Sequence, residues 1–299
     1  MDKAKKEDVW KAFWDRQRTA QTPGVVSQEW NAISRAQFDA WADFSPLLPK
    51  NARVLDLATG FGKLPQMLRA LRGDVSVVGV DIAEPLPPGS DGIELIGGIS
   101  MEELPFGRLE FDALVSLFGF EYGDPTNVAR EVLRVLKPDG PIGLMVHRGD
   151  GPILAHNKKR EEQLHWAIEE CGLFERVLEM LPSENSLPRK AVTFAAELAQ
   201  EGQRRFGRGA VAWELPESVH RTLLMARQGT RQKLIETLKF IEAQAANELG
   251  RIASLTAACQ AADDRERLLA GFTSADRRPQ STVPVALPEE RPFADLIVL

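Results

Sequence analysis

Between Arg53 and Val146 the chain carries five short apolar runs, Val54–Leu57, Val75–Val80, Ile93–Ile96, Phe111–Leu117 and Ile142–Val146, separated by polar or turn-forming sequence. The runs are continuous rather than alternating, as strands buried on both faces must be. Apolar residues at helical spacing fill Leu64–Leu71 and Val128–Leu136. Strands alternating with helices make right-handed crossovers and a parallel sheet. The second crossover departs from this rule. Between Asp81 and Ile93 stands AEPLPPGSDG, whose three prolines and two glycines exclude a regular helix and predict a loop.

Flanking this core, the period changes. Residues 5 to 49 place Trp10, Phe13, Trp14, Trp30, Ile33, Phe38, Trp41 and Phe44 at roughly helical intervals around a turn at Thr22-Pro23-Gly24, which predicts two helices. After His147 the strand pattern stops, and residues 157–268 read as helical, with a long amphipathic segment from Arg231 to Cys259. Such a stripe must be buried against something, as a cap over the site or as a homodimer contact. Ser281–Leu287 and Phe293–Leu299 return to strand-like composition and are expected to complete the sheet edge. The expected fold is α/β, a doubly wound, mostly parallel seven-stranded sheet. Its division is an N-terminal helical segment over 1–50, an α/β core over 51–156, a large helical insertion over 157–268, and terminal strands over 269–299.

Composition narrows the function classes. The formal charge of −6 over 299 residues, with Lys and Arg interspersed among carboxylates, provides no basic field for a phosphate backbone, so nucleic acid is not an expected partner. Arg204, Arg205 and Arg208 form a local basic cluster, read as a solvated surface. Cys171 and Cys259 have no metal-ligand spacing, and no metal is expected. No apolar run reaches membrane-spanning length, and the opening MDKAKKEDVWKAFWDRQ is charged where a secretory signal is apolar, so a cytoplasmic location without membrane attachment is expected.

The chemistry concentrates where the first apolar run ends. Val54-Leu55-Asp56-Leu57-Ala58-Thr59-Gly60-Phe61-Gly62 is a buried strand closing on an acid and a small-residue turn, with a helix directly after it. Gly60 and Gly62 admit backbone angles closed to other residues, and the new helix offers unpaired N–H groups to a polar ligand. Asp81 ends the next strand about 20 residues beyond Gly60, where an acid accepts hydrogen bonds from a ribose diol. Pro65 occupies the place of the third glycine that a dinucleotide fingerprint requires, so a nucleoside without an extended pyrophosphate is favoured.

In these residues the sequence resembles the class I S-adenosylmethionine-dependent methyltransferases. Asp56, Ala58, Gly60 and Gly62 match the family's first motif and Asp81 its ribose-binding acid, while Ser100–Phe106 resembles the adenine-binding stretch. FDALVSLFGFEY resembles the fourth strand, and Arg134–Gly140 the turn before the fifth. The resemblance implies a Rossmann-like methyltransferase fold with S-adenosyl-L-methionine as cofactor. Asp56 and the Gly60–Gly62 backbone would hold its methionine end, Asp81 its ribose, and Ile82, Ser100 and Met101 its adenine, with Ser116 and Leu117 near the sulfonium. Two departures stand out: Ser100 replaces an Asp common in the family, and the helix after Asp81 is lost. The family also implies that the N-terminal segment closes as a lid, which makes Trp14 and Trp30 candidate acceptor-pocket residues.

His147 ends the fifth strand on the carboxyl edge, where open α/β folds bind ligands, and is read either as a general base or as a partner of a neighbouring loop. Tyr122 joins it as a candidate catalytic residue, and Glu121 is read as a substrate-binding residue, an orienting group for the methionine amine, or a plain loop residue. His156, His165 and His220 are read as structural. The expected activity is methyl transfer to a small or medium organic acceptor on oxygen, nitrogen or carbon, by in-line displacement. The alternatives are a non-catalytic accessory protein with the same fold and a protein methyltransferase.

Overall fold

The computed structural model describes residues 28–182, 186–225, 230–287 and 291–299, with side chains in the first stretch from Ala32 onward. The first predicted helix and the Thr22-Pro23-Gly24 turn, with Trp14, lie outside the described residues. The second predicted helix is α1 (Gln28–Phe44). From Arg53 the elements run β1 (Arg53–Leu57), α2 (Lys63–Leu71), β2 (Ser76–Val80), β3 (Ile93–Ile96), β4 (Ala113–Leu117), α3 (Pro125–Val135) and β5 (Ile142–His147). Residues 82–92 form the expected loop. β4 starts two residues later than its apolar run suggests. Phe111 instead bridges Leu136, and the Asp112 carboxylate takes the Arg53 N–H at 2.9 Å and Lys137 Nζ at 2.7 Å.

Two terminal strands, β6 (Ser281–Val285) and β7 (Ala294–Val298), complete a seven-stranded sheet of order β3-β2-β1-β4-β5-β7-β6. β1 to β5 pair in parallel, and β7 runs antiparallel to both β5 and β6. β6 therefore forms the edge. That position accommodates Pro284, since an edge strand has an outer side with no ladder to complete.

Alternate residues of each central strand serve opposite faces of the sheet. Leu55, Val78, Leu114 and Leu144 pack with Val128 and Val132 of α3. Val54, Val77, Val115 and Met145 pack with Trp41 and Phe44 of α1 and with Leu64 and Leu68 of α2. Helices cover both faces, as continuous apolar strands require. Gly143 allows the tight seat of α1, because a Cβ there would meet Trp41 and Phe44 ring carbons at 2.9 Å.

After β5 follow α4 (Pro152–His165), α5 (Leu173–Glu179), α6 (Arg189–Phe206), α7 (Val211–Met225), α8 (Arg231–Asp263) and α9 (Arg265–Thr273). The chain divides into two compact units: residues up to Leu154 with Ser254–Leu299, and Ala155–Ala253. The second unit has its own core, built around Leu164, Trp166, Phe174, Val219, Leu223 and Ile252. The helical region that sequence pattern delimits as 157–268 thus differs from the helical unit at its far end. From Ser254 the chain packs with the α/β core, because Ala262, Leu268, Leu269 and Phe272 are buried with Phe120 and Val128. Gly271 lets α9 close on α3, a Cβ there falling 2.6 Å from Ala129 Cβ. Among the described residues no helix is long and apolar enough to cross a membrane.

Candidate active site

The turn after β1 is shaped by left-handed backbone. Ala58 (φ 54°), Gly60 (φ 53°) and Gly62 (φ 77°) all have positive φ, and Gly62 caps α2. Ala58 carries a Cβ in a region that favours glycine, a local strain of the kind found at ligand sites. Asp81 secures this turn. Its Oδ2 accepts the Gly60 N–H at 2.8 Å and its Oδ1 the Ala83 N–H at 2.9 Å. Burial pushes the Asp81 carboxyl up, and these backbone donors oppose the shift.

Asp56 lies deeper, between Gly79 of β2 and Val115 of β4 in the sheet register. It is only 1% exposed, and neither carboxyl oxygen has a hydrogen-bond partner among the described residues. Burial pushes its pKa up to about 8, with the Thr59 hydroxyl nearby opposing and the charge of Asp81 adding. The acid of the first motif is therefore a buried carboxyl with unused capacity.

At the end of β4 the chain turns through Phe118, again left-handed (φ 57°). Ser116, expected near the sulfonium, is fully buried and committed to the fold: its Oγ donates to Leu57 O at 3.0 Å and accepts the Phe120 N–H at 3.1 Å. It ties the β4 turn to the end of β1. Gly119 follows because a Cβ there would lie 2.5 Å from Ala58 Cβ and 2.8 Å from Ser116 Oγ.

His147 of β5 reaches the same turn. Its Nδ1 lies 2.7 Å from Glu121 Oε1, and its backbone N–H donates to that same oxygen at 3.0 Å. The imidazole stacks on Phe118, centroids 4.1 Å apart, and meets Tyr122 edge-on at 6.0 Å.

Between these strand ends lies a cavity of about 660 Å³, within the size range of small-molecule sites. Of the residues expected to bind cofactor, Ala58, Asp81, Ile82, Ser100 and Met101 line it, whereas Asp56, Gly60, Gly62, Ser116 and Leu117 lie outside its lining. Glu121 and Tyr122 line it; His147 stands behind Glu121. Trp30 belongs to α1. Sequence reasoning missed one whole wall, formed by Ser254, Ala257, Ala258, Ala261, Asp264 and Arg267. The only local signal there is the run of alanines, small side chains that leave room beside a helix. Among the described residues no group of three or more His, Cys, Asp or Glu is placed to hold a metal ion.

Residues 55–144 match a family model described as a methyltransferase domain. An uncharacterized methyltransferase of Mycobacterium tuberculosis is 33% identical over 132 residues, 41% of this chain and 47% of its own. A demethylmenaquinone methyltransferase of Thermotoga maritima is 32% identical over 99 residues, 31% of this chain and 42% of its own. Among solved structures, a SAM-dependent methyltransferase from Aquifex aeolicus covers 38% of this chain and 67% of its own at 20% identity, with a TM-score of 0.33. Residues 55–144 are thus similar to methyltransferase domains, and the solved relative named above is an S-adenosylmethionine-dependent methyltransferase. The chain spans about half the length of the curated relatives it matches.

Proposed function

We propose that this protein transfers a methyl group from S-adenosylmethionine to a small or medium organic acceptor bound in the cavity at the carboxyl ends of β1, β2 and β4. The observation that carries this reading is convergence. Ala58, Asp81, Ile82, Ser100 and Met101 come from three separated segments, stand at the positions the resemblance gives to the cofactor, and line one cavity.

The unused polar capacity of the site fits such a ligand. Asp56, outside the cavity lining, has a buried carboxyl with the Thr59 hydroxyl beside it. In this reading Asp56 and the Gly60–Gly62 backbone hold the methionine end. Asp81 holds the ribose through lone pairs left after its two backbone bonds, and Ile82, Ser100 and Met101 border the adenine. When bound, the cofactor supplies an already activated methyl on a sulfonium, so the protein's task is placement of the acceptor at attack distance. Glu121 and Tyr122 border the acceptor side, and His147 acts through Glu121.

Calorimetric titration of the purified protein with S-adenosylmethionine and S-adenosylhomocysteine tests the reading. Dissociation constants on the order of micromolar are expected for both. A folded protein that binds neither would overturn it.

A further inference from the structure

Glu121 is the most unusual group in the cavity wall. Its side chain has no solvent exposure. One oxygen takes both bonds from His147, and the other, Oε2, has no partner among the described residues. A buried carboxylate oxygen without a donor is costly. Glu121 lines the cavity, so a ligand seated there can supply the donor it lacks.

The charge of the lining says what kind of donor. Among the described residues, Asp81, Glu102, Glu121, Asp124 and Asp264 contribute five carboxylates to the lining, against the guanidinium of Arg267. An anionic acceptor meets repulsion there and a cation meets attraction. Phe118 and Tyr122, which both contact the imidazole holding Glu121, also line the cavity. A carboxylate flanked by aromatic rings is a recognition element for ammonium. A hydroxyl would give Oε2 one neutral donor and leave the charge uncompensated. Ser254, 4% exposed, also lines the cavity, and its Oγ has no partner among the described residues.

We propose that Glu121, with Phe118 and Tyr122, forms a subsite for the protonated nitrogen of an amine acceptor. The inference rests on the methyltransferase reading above and names its substrate class. The cofactor has an ammonium of its own at the methionine end; in the reading above that end falls to Asp56 on β1, outside the cavity lining, and the acceptor to Glu121 on the β4 turn.

The test uses protein saturated with S-adenosylhomocysteine, titrated by calorimetry with a panel of small primary amines and their isosteric alcohols, among them phenethylamine and 2-phenylethanol. The saturating step itself checks the methyltransferase reading, so its failure is seen separately. Amines are expected to bind, with each alcohol weaker by about tenfold or more, and Glu121→Gln should weaken the amines by about 10- to 100-fold while leaving S-adenosylhomocysteine affinity unchanged. Alcohols binding as tightly as amines, no amine binding to the saturated wild type, or full amine affinity in Glu121→Gln would each overturn the proposal. So would a Glu121→Gln variant that loses affinity for S-adenosylhomocysteine but not for its deaminated analogue, because the ammonium held would then be the cofactor's. Should the variant fail to fold, the amine–alcohol comparison on the wild type decides.

Discussion

At the end of β2, Asp81 gives its two oxygens to the backbone N–H groups of Gly60 and Ala83, whereas on the β4 turn Glu121 gives one oxygen to His147 and keeps the other. Asp56, on the strand between them, has neither kind of support among the described residues. Three buried acids near one sheet edge are thus held in three ways. A carboxylate fixed by backbone donors is part of the loop's architecture, and one fixed on a single side by a neighbouring side chain keeps an oxygen available for a ligand. An acid without a backbone or charged donor is pushed by burial toward its protonated form.

The largest effect that would sharpen this comparison concerns Asp56. Its carboxyl is displaced from 3.8 to about 8, so between these values the folded protein holds a proton that the unfolded chain releases. Stability of the free protein should therefore fall as pH rises from about 4 to about 8. At about 1.4 kcal/mol per unit this amounts to several kcal/mol. Differential scanning calorimetry across that range should show the fall, and Asp56→Asn should flatten it; parallel curves for the two proteins would show that Asp56 titrates normally.

Next in size, Asp81→Ala removes the acceptor for both backbone amides and the proposed ribose contact. Affinity for S-adenosylhomocysteine should drop by about 100-fold, read by calorimetry; an unchanged constant would detach Asp81 from the cofactor. His147→Ala leaves Glu121 with the backbone N–H alone and should cost about 2 kcal/mol in urea unfolding. A cost near zero would break the contrast between Asp81 and Glu121. The smallest effect is expected from Ser116→Ala, which strands Leu57 O and the Phe120 N–H inside the protein at about 1 kcal/mol. A loss of cofactor affinity with unchanged stability would instead give Ser116 the ligand role that the family match implies.

The backbone-held edge was legible in the sequence because its partners are local in pattern. A strand, an acid, a glycine turn and a second acid about 20 residues on all fall within one crossover. Strands β1, β2, β3 and β5 were legible for a related reason, since burial on both faces leaves continuous apolar runs. The β4 turn was harder. Phe111 is as apolar as the strand it precedes, and only the pairing of Asp112 with Arg53 and Lys137 shows where the ladder begins. The Glu121–His147 contact joins residues 26 positions apart through a side-chain geometry that no spacing rule encodes. The wall from Ser254 to Leu268 was hidden most completely. Most of it belongs to α8, which continues without a break from Arg231 through Ser254 to Asp263, so no turn in the sequence marks where its burial partners change.

Hydrogen exchange of the backbone with and without S-adenosylhomocysteine tests the central claim, that the cofactor sits among the strand ends lining this cavity. The account predicts added protection in residues 58–62, 81–83 and 99–104, with the helical unit 155–253 unchanged. Protection confined to residues 155–253, or none at 58–62 and 81–83 under saturating ligand, would contradict it.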